Sequence, residues 1–534
     1  MFVTAPTVGC PVGPVDKNLG APGSTWKAHD RRPPIIQGGL GVGVSGWRLA
    51  RAVALAGQLG VVSGVGLDTL MARRLQLGDP GGHISRALAH FPHAGAAEQI
   101  LGRYFVAGGI GPDEPFRAVP RPTLRPSERS TNLVVAANFV EVFLAKEGHE
   151  GLVGINLMEK LQMSTPAASY GAMLAGVDYV LVGAGIPAEF PALLDALAAG
   201  RPGQVSVDVI GAGTVPTPVV VRPDVVVGAR VESRRPQLLA IVASHVLASY
   251  LARDRATRPD GFVVEGPVAG GHSAPPRGPL VLDEEGEPVY GLRDVVDLDK
   301  MALLGLPFWL AGGYASPALL QQSRRAGAAG VQVGSAFALC EESGLLASIK
   351  RAVIEHVLVA DLPVRADPRA SPTGFPFKVA ELPGTVAEPP VYESRDRVCD
   401  AGYLRAPYHK QGAEIGYRCP AEPLPTYLRK GGKMAETVGR YCLCNGLIAS
   451  IGLGQRRAGS VEPPIVTIGQ DLSFLPKLLP PGRQSYTAAD VVAYLLQNDQ
   501  PSDRRSERTG GPEVEDVNQA GRGREAVGPR SSPV

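Results

Sequence analysis

The stretch "QGGLGVGVSG" (37–46) decides between two folds. Gly41, Gly43 and Gly46 satisfy G-x-G-x-x-G, and Asp68 follows about twenty residues on, as in a dinucleotide-binding turn. In such a unit the first glycine closes the strand directly, so that the next helix points its N-terminus at the pyrophosphate. Here Gly38, Gly39 and Leu40 stand between the apolar run Ile35-Ile36-Gln37 and Gly41. Asp68 falls beyond "VVSGVG" (61–66), the next strand. A chain with 66 glycines also meets such patterns by chance. The stretch alone is a weak dinucleotide signature, and the pattern of the remaining chain has to decide.

Working outward, short apolar runs alternate with helical stretches. "PIIQGG" (34–39) and "VVSGVG" are followed by "LVGINLM" (152–158), "DYVLVGAG" (178–185), "LLAIVAS" (238–244), "GFVVEG" (261–266), "PFWLAGG" (307–313) and "GVQVGSAF" (330–337). "WRLARAVALAGQLG", with Ser45 placed as its cap, and a helical region over 67–150 separate the first three. The runs are continuously apolar rather than alternating, as parallel strands covered on both faces are. Eight β/α units over residues 30–365 predict an α/β fold, a (β/α)8 TIM barrel. The segment 203–236 reads as an insertion, a hairpin, with a true barrel strand as the alternative.

Composition limits the function. The chain has 534 residues, 44% hydrophobic and 19% charged, with a net charge of +2. That balance suits a globular protein and gives no nucleic-acid footprint. No basic start followed by an apolar run marks a signal peptide, and no stretch of about 18 apolar residues marks a membrane span. A cytoplasmic protein with a small-molecule substrate is the expectation.

Many of the strands end in glycine, which lets a ligand approach the backbone on the barrel's carboxyl rim. Gly312-Gly313 ends the seventh strand before a helix start at Ser316-Pro317, and Gly334-Ser335 ends the eighth. Loops after strands seven and eight are the usual phosphate site of such barrels, built from main-chain N–H groups and a helix start. In "VVEGPVAGGHSAPPRG" (263–278), Gly270 and Gly271 leave His272 beside open space, the setting of a histidine that takes part in chemistry.

Taken in order, "PIIQGGLGVGVS", "GINLM", "VEGPVAGGHS", "LAGGYASP" and "GVQVGSAF" resemble the nitronate monooxygenase (2-nitropropane dioxygenase-like) flavoproteins over about residues 33–345. That group includes FMN-type enoyl-acyl-carrier-protein reductases. The resemblance implies FMN, with Gly312, Gly313, Gly334 and Ser335 on its phosphate. It places Gln37, Gly38, Gly39, Asn156, Gly270, Gly271 and Gln332 along the flavin and its ribityl chain, and His272 over the ring as base or orienting group. The implied reaction oxidises an alkyl nitronate to a carbonyl compound and nitrite with O2. Two features depart from the family. Val268 stands where a Glu is common, and "SAPPRG" makes a rigid loop offering Arg277 to an anionic substrate. "ASPTGFPFKV" (370–379) is similar to flavoproteins that act in trans with fatty-acid and polyketide synthases. Enoyl-thioester reduction, or service as a synthase partner, is therefore the second expectation.

Residues 1–29 read as a loose arm, 366–500 as a cysteine-containing extension and 501–534 as a disordered tail. Cys399, Cys419, Cys442 and Cys444 are candidate ligands of Zn or an iron–sulfur cluster, against buried thiols or a Cys442/Cys444 redox pair. A cluster there would make the extension an electron-transfer or docking module. Thr487 is placed as the cap of a helix over 486–497. Homo-oligomerisation is left open.

Overall fold

The computed structural model describes residues 32–497 except 212, 214–215, 229–231, 411–413 and 458. The arm at 1–29 and the tail at 501–534 lie outside the described residues. Eight parallel strands form one sheet: β1 (Ile35–Gln37), β2 (Gly60–Ser63), β3 (Val153–Met158), β4 (Tyr179–Gly183), β5 (Gln237–Val242), β6 (Gly261–Glu265), β7 (Phe308–Ala311) and β8 (Gly330–Val333). They are neighbours in chain order, with β8 beside β1 in the register Ile36 to Gln332. A parallel bridge between Ile36 and Leu59 brings the two ends of the sheet together. The fold is the (β/α)8 barrel that the apolar runs imply.

Alternation explains why these runs are apolar throughout. Ile36, Val61, Leu181, Leu239, Val263 and Trp309 fill the barrel interior. Their neighbours Val62, Val180, Val182, Phe262 and Val264 face the surrounding helices. Burying side chains of this size contributes about 1.5–3 kcal/mol each relative to exposure.

The β1–β2 seam is short, and two side-chain amides extend it. Gln58 Oε1 accepts from Ile35 N (3.1 Å), and Gln37 Oε1 accepts from Val61 N (2.9 Å). Gln37 Nε2 donates to Ser45 Oγ (3.0 Å). Gln37 is thus fully buried in the seam and does not line the rim cavity. Ser45 differs from expectation as well. Its hydroxyl accepts from Leu40 N (2.9 Å), and the helix Trp47–Leu55 begins instead with Trp47 N on Glu141 Oε1 (2.8 Å). Gly41 and Gly43, at φ +65° and +70°, turn the loop between Leu40 and Ser45. Asp68 reaches no rim; it is buried and accepts from the hydroxyl of Tyr403.

Helices Leu67–Gln76, His83–Leu88, Ala94–Tyr104 and Glu128–Lys146 fill the span between β2 and β3. The insertion after β4 is an antiparallel hairpin, Gly203–Val207 with Thr217–Val221, followed by the helix Pro223–Val227. It contributes no barrel strand.

The chain after the barrel folds back onto it. Val491, Val492 and Leu495 share a core with Leu49 and Val53, while Ile448 and Ile465 share another with Val42 and Leu70. Thr487 caps the helix Ala488–Leu496 by accepting from Asp490 N (3.2 Å). The stretch 466–470 crosses the carboxyl rim. Val466 O accepts from Ala380 N (2.9 Å), Thr467 Oγ1 from Gly271 N (2.9 Å) and Val268 O from Gln470 N (3.1 Å).

Candidate active site

The strand ends surround one large cavity, about 1270 Å³ with its open mouth included. β1 delivers Gly38 and Gly39, β3 Asn156, β6 Glu265, β7 Gly312-Gly313, and β8 Gln332, Gly334 and Ser335. Gly270, Gly271 and His272 arrive on the loop after β6. Of the residues assigned to the cofactor from sequence, all but Gln37 line this cavity. Close approach explains two of the glycines. A Cβ on Gly39 would lie 2.4 Å from that of Asn156, whose amide already donates to Gly39 O (3.0 Å). Gly313 has φ +77°, a conformation side chains resist.

Several polar groups at the rim have no protein partner among the described residues. Gln332 Oε1 is buried without a hydrogen bond. Such an atom costs about 1–3 kcal/mol unless a ligand or water meets it. Ser335 Oγ is engaged, accepting from Gly469 N (2.7 Å). Ala184, after β4, holds φ +54°, an unusual strain for a residue other than glycine, in the cavity wall.

His272 is held from the chain beyond the barrel. Its Nε2 shares a hydrogen bond with Ser371 Oγ (2.7 Å), and Ser371 pairs with Thr373 Oγ1 (2.8 Å). The Phe377 ring packs edge-on at 4.8 Å. Nδ1 has no protein partner among the described residues. Burial pushes the imidazole down to about 4, so the ring is neutral at neutral pH. Glu265, in the same wall, is pushed up to about 8 by burial, and its carboxyl keeps its proton.

A second cavity adjoins the first. Ala184, Ile241, Glu265 and His272 line both. Arg277, Tyr290 and Asp294 line the second alone, where Arg277 donates to Ala243 O (3.3 Å). Sequence reasoning missed Ser371, Phe377, Thr467 and Gly469 at the site. "ASPTGFPFKV" was the one signal that could have found the first two.

The four cysteines of the extension do meet. Cys399, Cys419, Cys442 and Cys444 line a small pocket with Leu404 and Leu443. All are free thiols, and burial raises all four, Cys442 to about 12. Among the described residues no group of three or more His, Cys, Asp or Glu is arranged to hold a metal ion. The expectation of Zn or an iron–sulfur cluster is therefore not supported. Without a metal ion, burial keeps these thiols protonated.

A parallel barrel with a glycine-lined rim cavity and a neutral histidine defines an enzyme of the (β/α)8 class. Residues 229–366, which carry β5 to β8 and His272, match the family model for nitronate monooxygenase. That match spans the second half of the barrel, about a quarter of the chain. Sequence comparison with curated proteins gives no match. Among solved structures the chain is similar to FabK from Thermotoga maritima (15% identity, TM-score 0.43, 87% of this chain and 92% of that one). It is also similar to nitroalkane oxidase from Streptomyces ansochromogenes (13%, 0.41, 87% and 95%). A third is the enoyl reductase domain of MlnA from Bacillus amyloliquefaciens (11%, 0.42, 87% and 94%). Likenesses this distant carry no argument about activity. Among the described residues no helix is long and apolar enough to cross a membrane.

Proposed function

We propose that this chain is an FMN-dependent oxidoreductase that converts alkyl nitronates to carbonyl compounds and nitrite, with O2 as oxidant. The observation that carries the reading is the large rim cavity in which glycine-built strand ends converge on a histidine held neutral. The residues fit FMN. The unpartnered Gln332 Oε1 is a polar atom awaiting a ligand, and the Gly39 and Gly313 positions have no room or no conformation for a side chain. Gly312, Gly313, Gly334 and Ser335 would hold the phosphate, and Gly38, Gly39, Asn156, Gly270, Gly271 and Gln332 the rest. When bound, FMN supplies the electron acceptor.

The protein's part is orientation and proton handling. With Nε2–H donated to Ser371, the Nδ1 lone pair of His272 is free to take a proton from a neutral nitroalkane. With Ser371 donating, Nδ1–H is a donor to a nitronate oxygen. Thr467 Oγ1 fixes Gly271 and so the ring beside it. Nitrite release from propyl-2-nitronate under air, by protein whose bound flavin is identified by mass, tests the reading. Protein that is colourless and takes up no FMN would overturn it.

One observation favours a second reading. The stretch 370–379, which resembles synthase-associated flavoproteins, itself holds His272 through Ser371 and Phe377. Enoyl-thioester reduction, alone or as partner of a synthase, would show as NAD(P)H consumption with an enoyl thioester and no nitrite from a nitronate.

A further inference from the structure

Glu265 ends β6, and its side chain stands in the wall common to the two cavities. Among the described residues it makes no hydrogen bond and no ion pair. A half-buried carboxyl with no partner, set in the wall of two cavities, is a group whose charged form is costly to keep out of water. Of the four residues that line both cavities, Ala184 and Ile241 are apolar, so Glu265 and His272 are the groups able to exchange hydrogen bonds with a molecule lying between them.

We propose that Glu265 acts as a neutral carboxylic acid that donates a hydrogen bond to an oxygen of the nitronate, opposite the contact made by His272. The assignment rests on the nitronate reading above. A nitronate carries its charge on two oxygens. A neutral acid and a neutral imidazole can each donate to one of them, whereas an ionised carboxylate there would repel the anion. Burial favours the acid form at neutral pH and releases the proton at about 8.

Among the other charged or titratable groups facing these cavities, burial pushes the Tyr314 phenol up, so it stays neutral, and the following groups are already engaged. Asp294 accepts from Arg277 N (2.8 Å) and Gly291 N (2.8 Å). Tyr290 donates to Ala274 O (2.9 Å). Asp471 accepts from Ser473 N (3.0 Å). His272 is already neutral across the range in question. β5 and β7, on either side of β6, present Ile241 and Ala311 to the cavity and add no charge.

The test uses the FMN-loaded full chain, with nitrate as a planar anionic probe, titrated calorimetrically in wild type and Glu265→Gln. In wild type, nitrate affinity should fall about tenfold or more as pH rises from 7 to 9.5, a tenfold change corresponding to one proton's worth of coupling. In Glu265→Gln, which keeps a donor but cannot ionise, it should change less than about twofold. The infrared spectrum at neutral pH should show a carboxylic C=O band that disappears in the variant and, in wild type, on alkaline titration. Equal flavin content and melting temperature confirm that the variant is folded. Parallel nitrate profiles in the two proteins, or no carboxylic band assignable to Glu265, would overturn the proposal. Nitrite release distinguishes the two levels. If nitrite is formed while the two nitrate profiles coincide, the role of Glu265 falls and the function stands. If none is formed while nitrate binding still follows the Glu265 proton, the nitronate falls and the anion-binding acid stands.

Discussion

The rim cavity and the cysteine pocket each gather reactive side chains, and only one is built like an active site. At the rim, Gln332 Oε1 and the Glu265 carboxyl have no protein partner, and the space beside them is about 1270 Å³. Around the cysteines the space is about 270 Å³, its wall carries Leu404, Leu443, Arg405 and Glu422 beside the thiols, and burial raises every thiol. Reactive residue types that meet in space therefore do not define chemistry. Room, together with polar groups left unanswered, does.

The sharpest way to break this contrast is His272→Ala. Turnover of a neutral nitroalkane should fall about a hundredfold or more, the scale of general-base loss, with flavin retained. Pre-formed nitronate, which has already lost its proton, should suffer less. Unchanged steady-state rates would remove His272 from the chemistry and with it half of the comparison.

The cysteine side is tested by alkylation. Iodoacetamide at neutral pH should modify Cys419 and Cys444 at least about tenfold more slowly in folded protein than in urea, because the thiolate is the reacting form and burial suppresses it. Peptide mass spectrometry reads the extent at each cysteine. Fast modification of the native protein would make the pocket a reactive site after all.

A third experiment sharpens the account of the rim. Gly39→Val brings a Cβ to within 2.4 Å of Asn156, and Gly313→Val forces a side chain into φ +77°. Strain of about 1–3 kcal/mol at either position should weaken FMN binding by about tenfold or more, as measured by flavin fluorescence titration. A Ser substitution at any of the four cysteines should leave flavin affinity within about twofold, since none of them lines the rim cavity.

The smallest effect concerns pH. His272 has its folded value lowered to about 4 by burial. The stability it contributes is full above its unfolded value of about 6.5 and is lost as pH falls through 4. Solvent in the cavity screens the group, so the loss amounts to about 1 kcal/mol. Melting temperature followed from pH 7 to 4 should decline less in His272→Phe than in wild type. Equal declines would mean that the ring is hydrated in the native protein.

How much of this was legible in the sequence follows from distance along the chain. The eight strands could be read because each is a local apolar run, doubly covered, with a glycine at its rim end. The hairpin at 203–221 could be read for the same reason. Ser45 was misplaced because a serine before a helix can serve either the helix or the loop behind it, and only the fold shows Glu141 arriving from 94 residues away to cap Trp47. Gln37 was misplaced because its neighbours line the cavity, while its own amide is drawn into the β1–β2 seam by Val61. Ser371 and Thr467 reach His272 and Gly271 across 99 and 196 residues, a separation no local pattern encodes. The grouping of cysteines in sequence did foretell their meeting in space. It could not reveal that the pocket would be too dry for a thiolate.

The segment from Val466 to Gln470, which lies across the mouth of the barrel, has a consequence for biosynthesis. On the ribosome, all eight barrel strands emerge more than a hundred residues before the segment that roofs them. A nascent barrel at that stage has its floor and walls but not its lid, and it leaves the apolar surface around Leu40 and Phe337 uncovered. If the rim cavity holds FMN as proposed, its wall residues Thr467 and Gly469 are made last, and a chain shortened before residue 466 should bind the cofactor more weakly.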